Sequence, residues 1–276
     1  MNYKIVSDSS ANLFTNNDIN FKSVPLHIIF ADNDFEDNET LDLGNMLSAL
    51  SSYNGKSSTS CPSTHDWIEA FGKSDIVFCV TLTSNLSGAC GSAKIAASMY
   101  ESEHIGSKVF VIDSLSTGPE MVLIIEKLME LIKSNMDPDL IYKEICNYQK
   151  QTHLYFELSS VDNLAKNGRI NPILAKGLGI LGIKIVGKAS DVGTLQPMDK
   201  CRGDKRAYSC LISHMKKCGY KNGRVIISHT NNPSGADEMN NLVKKELGYN
   251  NAIIMENRGL CSYYAEPGSL LIGFEA

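Results

Sequence analysis

A chain of 276 residues is long enough for two modest domains or one large one, at roughly 100–200 residues per domain, which excludes a small stapled module. Hydrophobic residues at 43% and charged residues at 21% are the mix of a globular protein, neither a disordered chain nor a membrane bundle. Lys and Arg number 26 against 31 Asp and Glu, a net charge of −5, so nothing offers a broad basic footprint and nucleic acid is not an expected partner.

The start, Met1 to Val6, runs directly into a strand-like segment without the basic opening and apolar core of a secretory signal, and a cytoplasmic protein is expected. No apolar run approaches the roughly 18 residues of a spanning helix, so no stable membrane insertion is expected. Ile5-Val6, Ile76 to Val80 and Val109 to Ile112 are short buried-strand candidates, each leading into a helical pattern. Helices are expected at about 64–72, 86–100, 116–134 and 137–151, the last opened by Asp137 as cap and Pro138 in the first turn. Val24 to Phe30, followed by Asp32-Asn33-Asp34, reads as an inserted hairpin able to act as a flap. Asp32, Asp34 and Glu36 have the spacing of a calcium loop, but Asp37 replaces its glycine and Leu43 its last ligand, which leaves an exposed hairpin tip.

From about His153 the texture changes to strands at Leu154–Leu158, Ile183–Val186, Thr194–Met198, Val225–Ile227, Ala252–Met255 and Leu270–Phe274, with helices near 203–218 and 234–247. The expected fold class is therefore α/β in two domains: a mostly parallel α/β/α domain over residues 1–152, with the hairpin insertion at about 24–58, and an α+β domain over 153–276. Gly177 to Gly182 matches G-x-G-x-x-G, but its glycines follow the helix-like Pro172–Lys176 and precede a strand. That is the reverse of a dinucleotide site. The eight cysteines, Cys61, Cys79, Cys90, Cys146, Cys201, Cys210, Cys218 and Cys261, form no C-x-x-C pair, and the six histidines form no i, i+4 pair. Free thiols and no metal are expected.

Hydroxyl groups and glycine crowd the ends of the putative strands: Ser7-Asp8-Ser9-Ser10, Ser57 to Ser63, Thr81 to Gly88 and Asp113 to Thr117. At the N-terminus of a helix such groups are neutral donors where the dipole already favours an anion. Each alone is equally a capping residue. In order, Ser7-Asp8-Ser9-Ser10-Ala11-Asn12-Leu13, Thr59-Ser60-Cys61-Pro62-Ser63, Thr83-Ser84-Asn85-Leu86-Ser87-Gly88, Val111 to Ser114, Asn167-Gly168-Arg169-Ile170, Lys200-Cys201-Arg202-Gly203 and Pro267 to Leu270 resemble the DegV family of fatty-acid-binding proteins.

The resemblance spans the chain and implies two α/β domains with a long acyl chain in a tunnel between them. It implies a carrier rather than an enzyme, with no cofactor, whose partners are a long-chain fatty acid and a fatty acid kinase that phosphorylates the carboxylate. By motif the carboxylate falls to Thr59 and Ser87; Ser60, Ser84 and Gly88 are further candidates that read equally as caps or turn residues. Arg169, in the Gly-Arg-Ile motif, brings a guanidinium to a carboxylate or acyl phosphate, or is a solvated surface residue. The basic cluster Lys200, Arg202, Lys205 and Arg206 at a helix start reads as a partner surface or as a solvated face.

Where the family has a histidine in its C-terminal loop this chain has Tyr264, and Glu266 adds a negative charge nearby, which predicts lipid binding with poor kinase turnover. The segment from Pro62 to Ser87 is a few residues shorter than the family norm. Two other readings remain from the residues alone: a hydrolase or transferase using a loop serine with His27, His65 or His229 as base, and an interaction protein with an empty cleft.

Overall fold

The computed structural model describes residues 1–15, 20–171 and 182–276; Pro172–Lys176 and all but the last residue of the glycine run lie outside them. β1 (Tyr3–Asp8) enters the core at once, with Ile5 and Val6 fully buried, and β2 (Phe21–Val24) pairs with it in parallel. Val24 thus belongs to the parallel sheet rather than to the hairpin. The hairpin itself is β3 (His27–Phe30) and β4 (Asn33–Glu36), turned by Ala31 and Asp32 at φ 52° and 59°, the left-handed pair that suits a two-residue connection. α1 (Leu43–Ser52), which the sequence reading passed over, is capped by Asp42, whose carboxylate accepts from Asn45 N at 2.9 Å. β5 (Ser58–Ser60) then joins β3 to complete a small sheet in the order β4-β3-β5. This unit is no open flap, because Ile28, Phe30, Leu43 and Met46 pack with Tyr263 in one buried cluster.

α2 (Thr64–Phe71) opens on a reciprocal cap in which Ser63 and Asp66 satisfy each other's backbone amides. β6 (Ile76–Thr81) is buried along its whole length, and α3 (Ala89–Glu103) lays Ala89, Ala93, Ala96 and Ala97 against the sheet. β7 (Lys108–Asp113) completes a four-stranded parallel sheet in the order β2-β1-β6-β7. α4 (Pro119–Lys133) and α5 (Pro138–Tyr148) follow; as expected, Asp137 caps the latter, accepting from Asp139 N at 3.0 Å.

The third sheet takes β8 (Thr152–Leu158), β9 (Ile183–Ala189) and β10 (Leu195–Arg202), with the short α6 (Asp162–Lys166) after β8 and α7 (Asp204–Cys218) after β10. β11 (Val225–His229), α8 (Pro233–Leu242) with one π turn at Val243–Leu247, β12 (Ile253–Glu256), α9 (Gly259–Ala265) and β13 (Leu270–Glu275) complete the chain. The strand order is β10-β9-β8-β13-β11-β12, antiparallel throughout except for the parallel pair β11 and β12.

α4 lies between the two large sheets and is apolar on both sides, as a helix buried from two directions must be. Met121, Ile124, Ile125 and Leu128 pack with Phe78 and Ile112 of the parallel sheet, while Val122 and Leu123 meet Ile226 of β11. Its first turn touches β13 so closely that a Cβ on Gly273 would stand 2.6 Å from the Pro119 backbone. Only glycine fits there.

Candidate functional site

Between the parallel sheet and the mixed sheet lies a cavity of about 300 Å³. β8 builds one wall by simple alternation: Leu154, Phe156 and Leu158 face the cavity, while Tyr155 packs on the opposite side with α7. Leu26, Leu82 and Leu86 contribute from the parallel sheet and its loops, Leu164 from α6, Leu195 from β10, Leu260, Cys261 and Ala265 from α9, and Leu271 from β13. Burial pushes the Cys261 thiol up to about 12, so it is a neutral part of that wall.

The polar border gathers around the N-terminus of α3. Ser87 Oγ accepts from Ala89 N at 3.2 Å, covering one orphan amide of the first turn. A Cβ on Gly88 would lie 3.2 Å from Cys61 Sγ, so this turn and the segment Thr59-Ser60-Cys61 are immediate neighbours. Thr59 Oγ1 and Tyr264 Oη are 2.8 Å apart. Arg169 donates from Nε to Leu86 O at 3.1 Å and from its guanidinium to Asn167 O, which fixes the cation beside Leu86 and Ser87. Burial raises the Tyr264 phenol above its ordinary value, against the opposing effects of the hydrogen bond it shares with Thr59 and of the charge of Arg169.

The structure therefore brings Thr59, Ser60, Ser87, Gly88, Arg169 and Tyr264 to one cavity. Ser84 is not among them: it is exposed, and its amide donates to Asp113 Oδ1 at 3.2 Å. Tyr264 sits in a helix rather than a loop. Glu266 turns away from the cavity, its carboxylate accepting from Asn163 N at 3.0 Å at the start of α6, so it adds no charge to the border. Lys200, Arg202, Lys205 and Arg206 are all exposed and stand apart from the cavity lining. His27 pairs with Asp34 at 2.8 Å, His65 is exposed, and His229 Nδ1 accepts from Asn232 N at 3.3 Å. None of these three lines the cavity.

Two buried carboxylates hold the site's frame, and sequence reasoning missed both roles. Asp8, at the end of β1, accepts from Leu82 N at 2.7 Å and Ser10 N at 3.2 Å, and burial pushes its carboxyl up to about 6. Asp37, fully buried rather than at an exposed tip, accepts from Gly259 N at 2.7 Å and Leu260 N at 2.9 Å. A carboxylate across the first amides of α9 serves as its cap. Among the described residues no helix is long and apolar enough to cross a membrane.

A family model described as "Uncharacterised protein, DegV family" matches residues 2–276. A DegV domain-containing protein of Streptococcus gordonii is 40% identical over 279 residues, covering 100% of this chain and 99% of its own. A DegV family protein from Eubacterium eligens, solved loaded with heptadecanoic acid, is 38% identical with a TM-score of 0.97 over 99% of both chains. The Streptococcus pneumoniae Fatty Acid Kinase (Fak) B3 protein, solved loaded with linoleic acid, is 36% identical with a TM-score of 0.96 over 100% of this chain and 99% of that one. With the match running from end to end, the chain belongs to the DegV family.

Proposed function

We propose that the protein binds a long-chain fatty acid, with the acyl chain in the cavity between the large sheets and the carboxylate on Thr59 and Ser87. Arg169 and Tyr264 stand beside that carboxylate, and Ser60 and Gly88 belong to the same border. The observation that carries this reading is the two-part lining of one cavity, leucines and a phenylalanine along its wall and hydroxyls with a guanidinium at its border. An acyl chain gains about 0.8 kcal/mol per buried methylene, on the order of 10 kcal/mol for a long chain before ordering costs. A carboxylate removed from water must recover its hydrogen bonds. Two hydroxyls, a cation and the amides at the start of α3 supply them.

The acids carried by the Eubacterium eligens and Streptococcus pneumoniae relatives support the ligand class, and the kinase name of the latter supports presentation of the acid to a fatty acid kinase. The protein is read as a cytoplasmic carrier rather than a catalyst, needing no cofactor, with residues 1–152 and 153–276 as its two domains. The serine-nucleophile reading loses support because its three candidate bases lie elsewhere.

Native mass spectrometry of the purified protein, followed by solvent extraction, tests the proposal. A stoichiometric fatty acid is expected, and its loss in the double variant Thr59→Ala, Ser87→Ala locates the carboxylate. A protein that is empty and also refuses added long-chain acid overturns the reading.

A further inference from the structure

On the face of the mixed sheet away from the cavity, β10 and α7 bring together three unlike ligand atoms. Asp199 Oδ2 lies 2.6 Å from His214 Nε2 and 3.4 Å from Cys210 Sγ, and one ligand atom from each residue falls within 4.8 Å of the others. Cys210 and His214 stand one turn apart on α7, an i, i+4 pair that puts both side chains on one face. Asp199 and Cys201 are likewise i, i+2 on β10 and share a face. The strand is irregular between Pro197 and Asp199, the kind of local shift that re-aims side chains. Cys201 is 4% exposed and belongs to the buried cluster against which Cys210 packs.

We propose that Asp199, Cys201, Cys210 and His214 form a binding site for a thiophilic divalent cation of the zinc type. Two thiols, an imidazole and a carboxylate are the donors that zinc selects in four-coordinate sites, at about 2.3 Å from sulfur and about 2.0–2.2 Å from nitrogen or oxygen. Hard cations such as calcium and magnesium prefer oxygen alone. Asp199 now holds Cys210 and His214 by hydrogen bonds, and small side-chain rotations, with Cys201 brought in from the same face of β10, open the group to ligand separations set by the metal. Binding releases the thiol protons and joins β10, which also supplies Leu195 to the cavity wall, to α7. The His214 to Asp199 contact is otherwise a half-exposed ion pair of the kind worth at most about 1 kcal/mol.

Cobalt(II) is the probe. Reduced protein stripped with a chelator is titrated with the metal under anaerobic conditions. One equivalent is expected to raise a near-ultraviolet thiolate-to-cobalt charge-transfer band together with the visible bands of tetrahedral coordination, and zinc is expected to displace it. Cys210→Ser and His214→Gln are each expected to weaken cobalt affinity at least ~10-fold, with circular dichroism unchanged because each replacement keeps a polar side chain of similar size at a partly exposed position. Cys201→Ser is expected to remove about half of the charge-transfer intensity, as one of two sulfur ligands. X-ray absorption of the zinc-loaded wild-type protein needs no variant and is expected to show two sulfur and two lighter neighbours. Absence of a thiolate band in the wild type, its survival in both α7 variants, or a metal shell without sulfur overturns the site. An unchanged band in Cys201→Ser overturns the four-ligand assignment.

Discussion

Replacing Arg169 by Gln removes the cation at the cavity border while leaving Thr59, Ser87 and Tyr264 in place. The guanidinium is half-buried and held on Leu86 O and Asn167 O, so it is pre-positioned and loses little freedom when a carboxylate arrives. A full charge pair at about 4 Å gains about 4 kcal/mol at an effective dielectric of ~20, and partial exposure lowers that toward the ~1.5–3 kcal/mol of a charge-assisted hydrogen bond. At about 1.4 kcal/mol per tenfold, the expected loss in affinity for a long-chain acid is roughly 10- to 150-fold. The methyl ester of the same acid carries the tail without the charge, and its affinity is expected to change less than ~3-fold because tail burial is untouched. Competition against a fluorescent fatty acid at pH 8, for both ligands and both proteins, gives the four corners of a thermodynamic cycle. Equal losses for acid and ester would refute the argument, since they would mean that Arg169 acts on the fold or the tail. No loss for the acid would place the carboxylate elsewhere.

Two further outcomes follow from buried contacts. Glu120 is buried, with Thr152 Oγ1 donating to it at 2.8 Å, and burial pushes its carboxyl up from 4.5 to about 7. Between those values the native state keeps a proton that the unfolded chain has lost, so stability falls as pH rises through the window, by up to about 3 kcal/mol in total. Glu120→Gln is therefore expected to flatten part of the pH dependence and to exceed the wild type in stability at pH 8, as read by urea unfolding at pH 5 and 8; parallel curves for the two proteins would contradict this. Gly187 faces Phe156 across β8 and β9, and a Cβ there would stand 2.4 Å from the Phe156 ring and 2.7 Å from Gln196 O. Gly187→Ala is expected to cost about 1–3 kcal/mol in thermal unfolding and to press the ring into the cavity, lowering affinity for a longer acid more than for a shorter one; unchanged selectivity would show that the ring has room elsewhere.

How much was legible depended on whether an element's reason for existing lay within it. β6 is buried on both faces and announces itself as an unbroken apolar run. β2 buries only Val24 while Lys22 is exposed, as suits an edge strand, and it went unread. α9 has Arg258 at its N-cap position with no side-chain hydrogen bond there; its cap is Asp37, 222 positions away in the chain. No local pattern signals a helix closed from that distance, and from the sequence alone Tyr264 reads as a loop residue. Hydroxyl groups at the strand ends were visible because parallel strands deliver their following loops to one edge. The apolar wall was not, because the alternation of Leu154, Tyr155, Phe156, Glu157 and Leu158 shows that β8 has two faces without saying which one meets a cavity.

α9 is also what makes the border a single unit. Its consecutive tyrosines grip alternate residues around β5: Tyr263 Oη lies 2.6 Å from Ser57 Oγ, and Tyr264 Oη lies 2.8 Å from Thr59 Oγ1. Tyr263 also takes a hydrogen bond from Asn167 Nδ2 at 2.9 Å, two residues before Arg169, so the segment carrying the cation is tied to the helix that sets the hydroxyl. Either hydroxyl of the Thr59–Tyr264 pair can donate, and a carboxylate on Thr59 selects one of the two orders. A threonine hydroxyl has one proton to donate, and burial keeps the Tyr264 phenol protonated. With Tyr264 donating to Thr59, the threonine proton is free for the acid. The pair then forms a polarised chain, which strengthens the terminal bond in a low-dielectric site. Tyrosine in this position is therefore compatible with carboxylate binding through Thr59, and it supplies that proton order without adding a charge of its own.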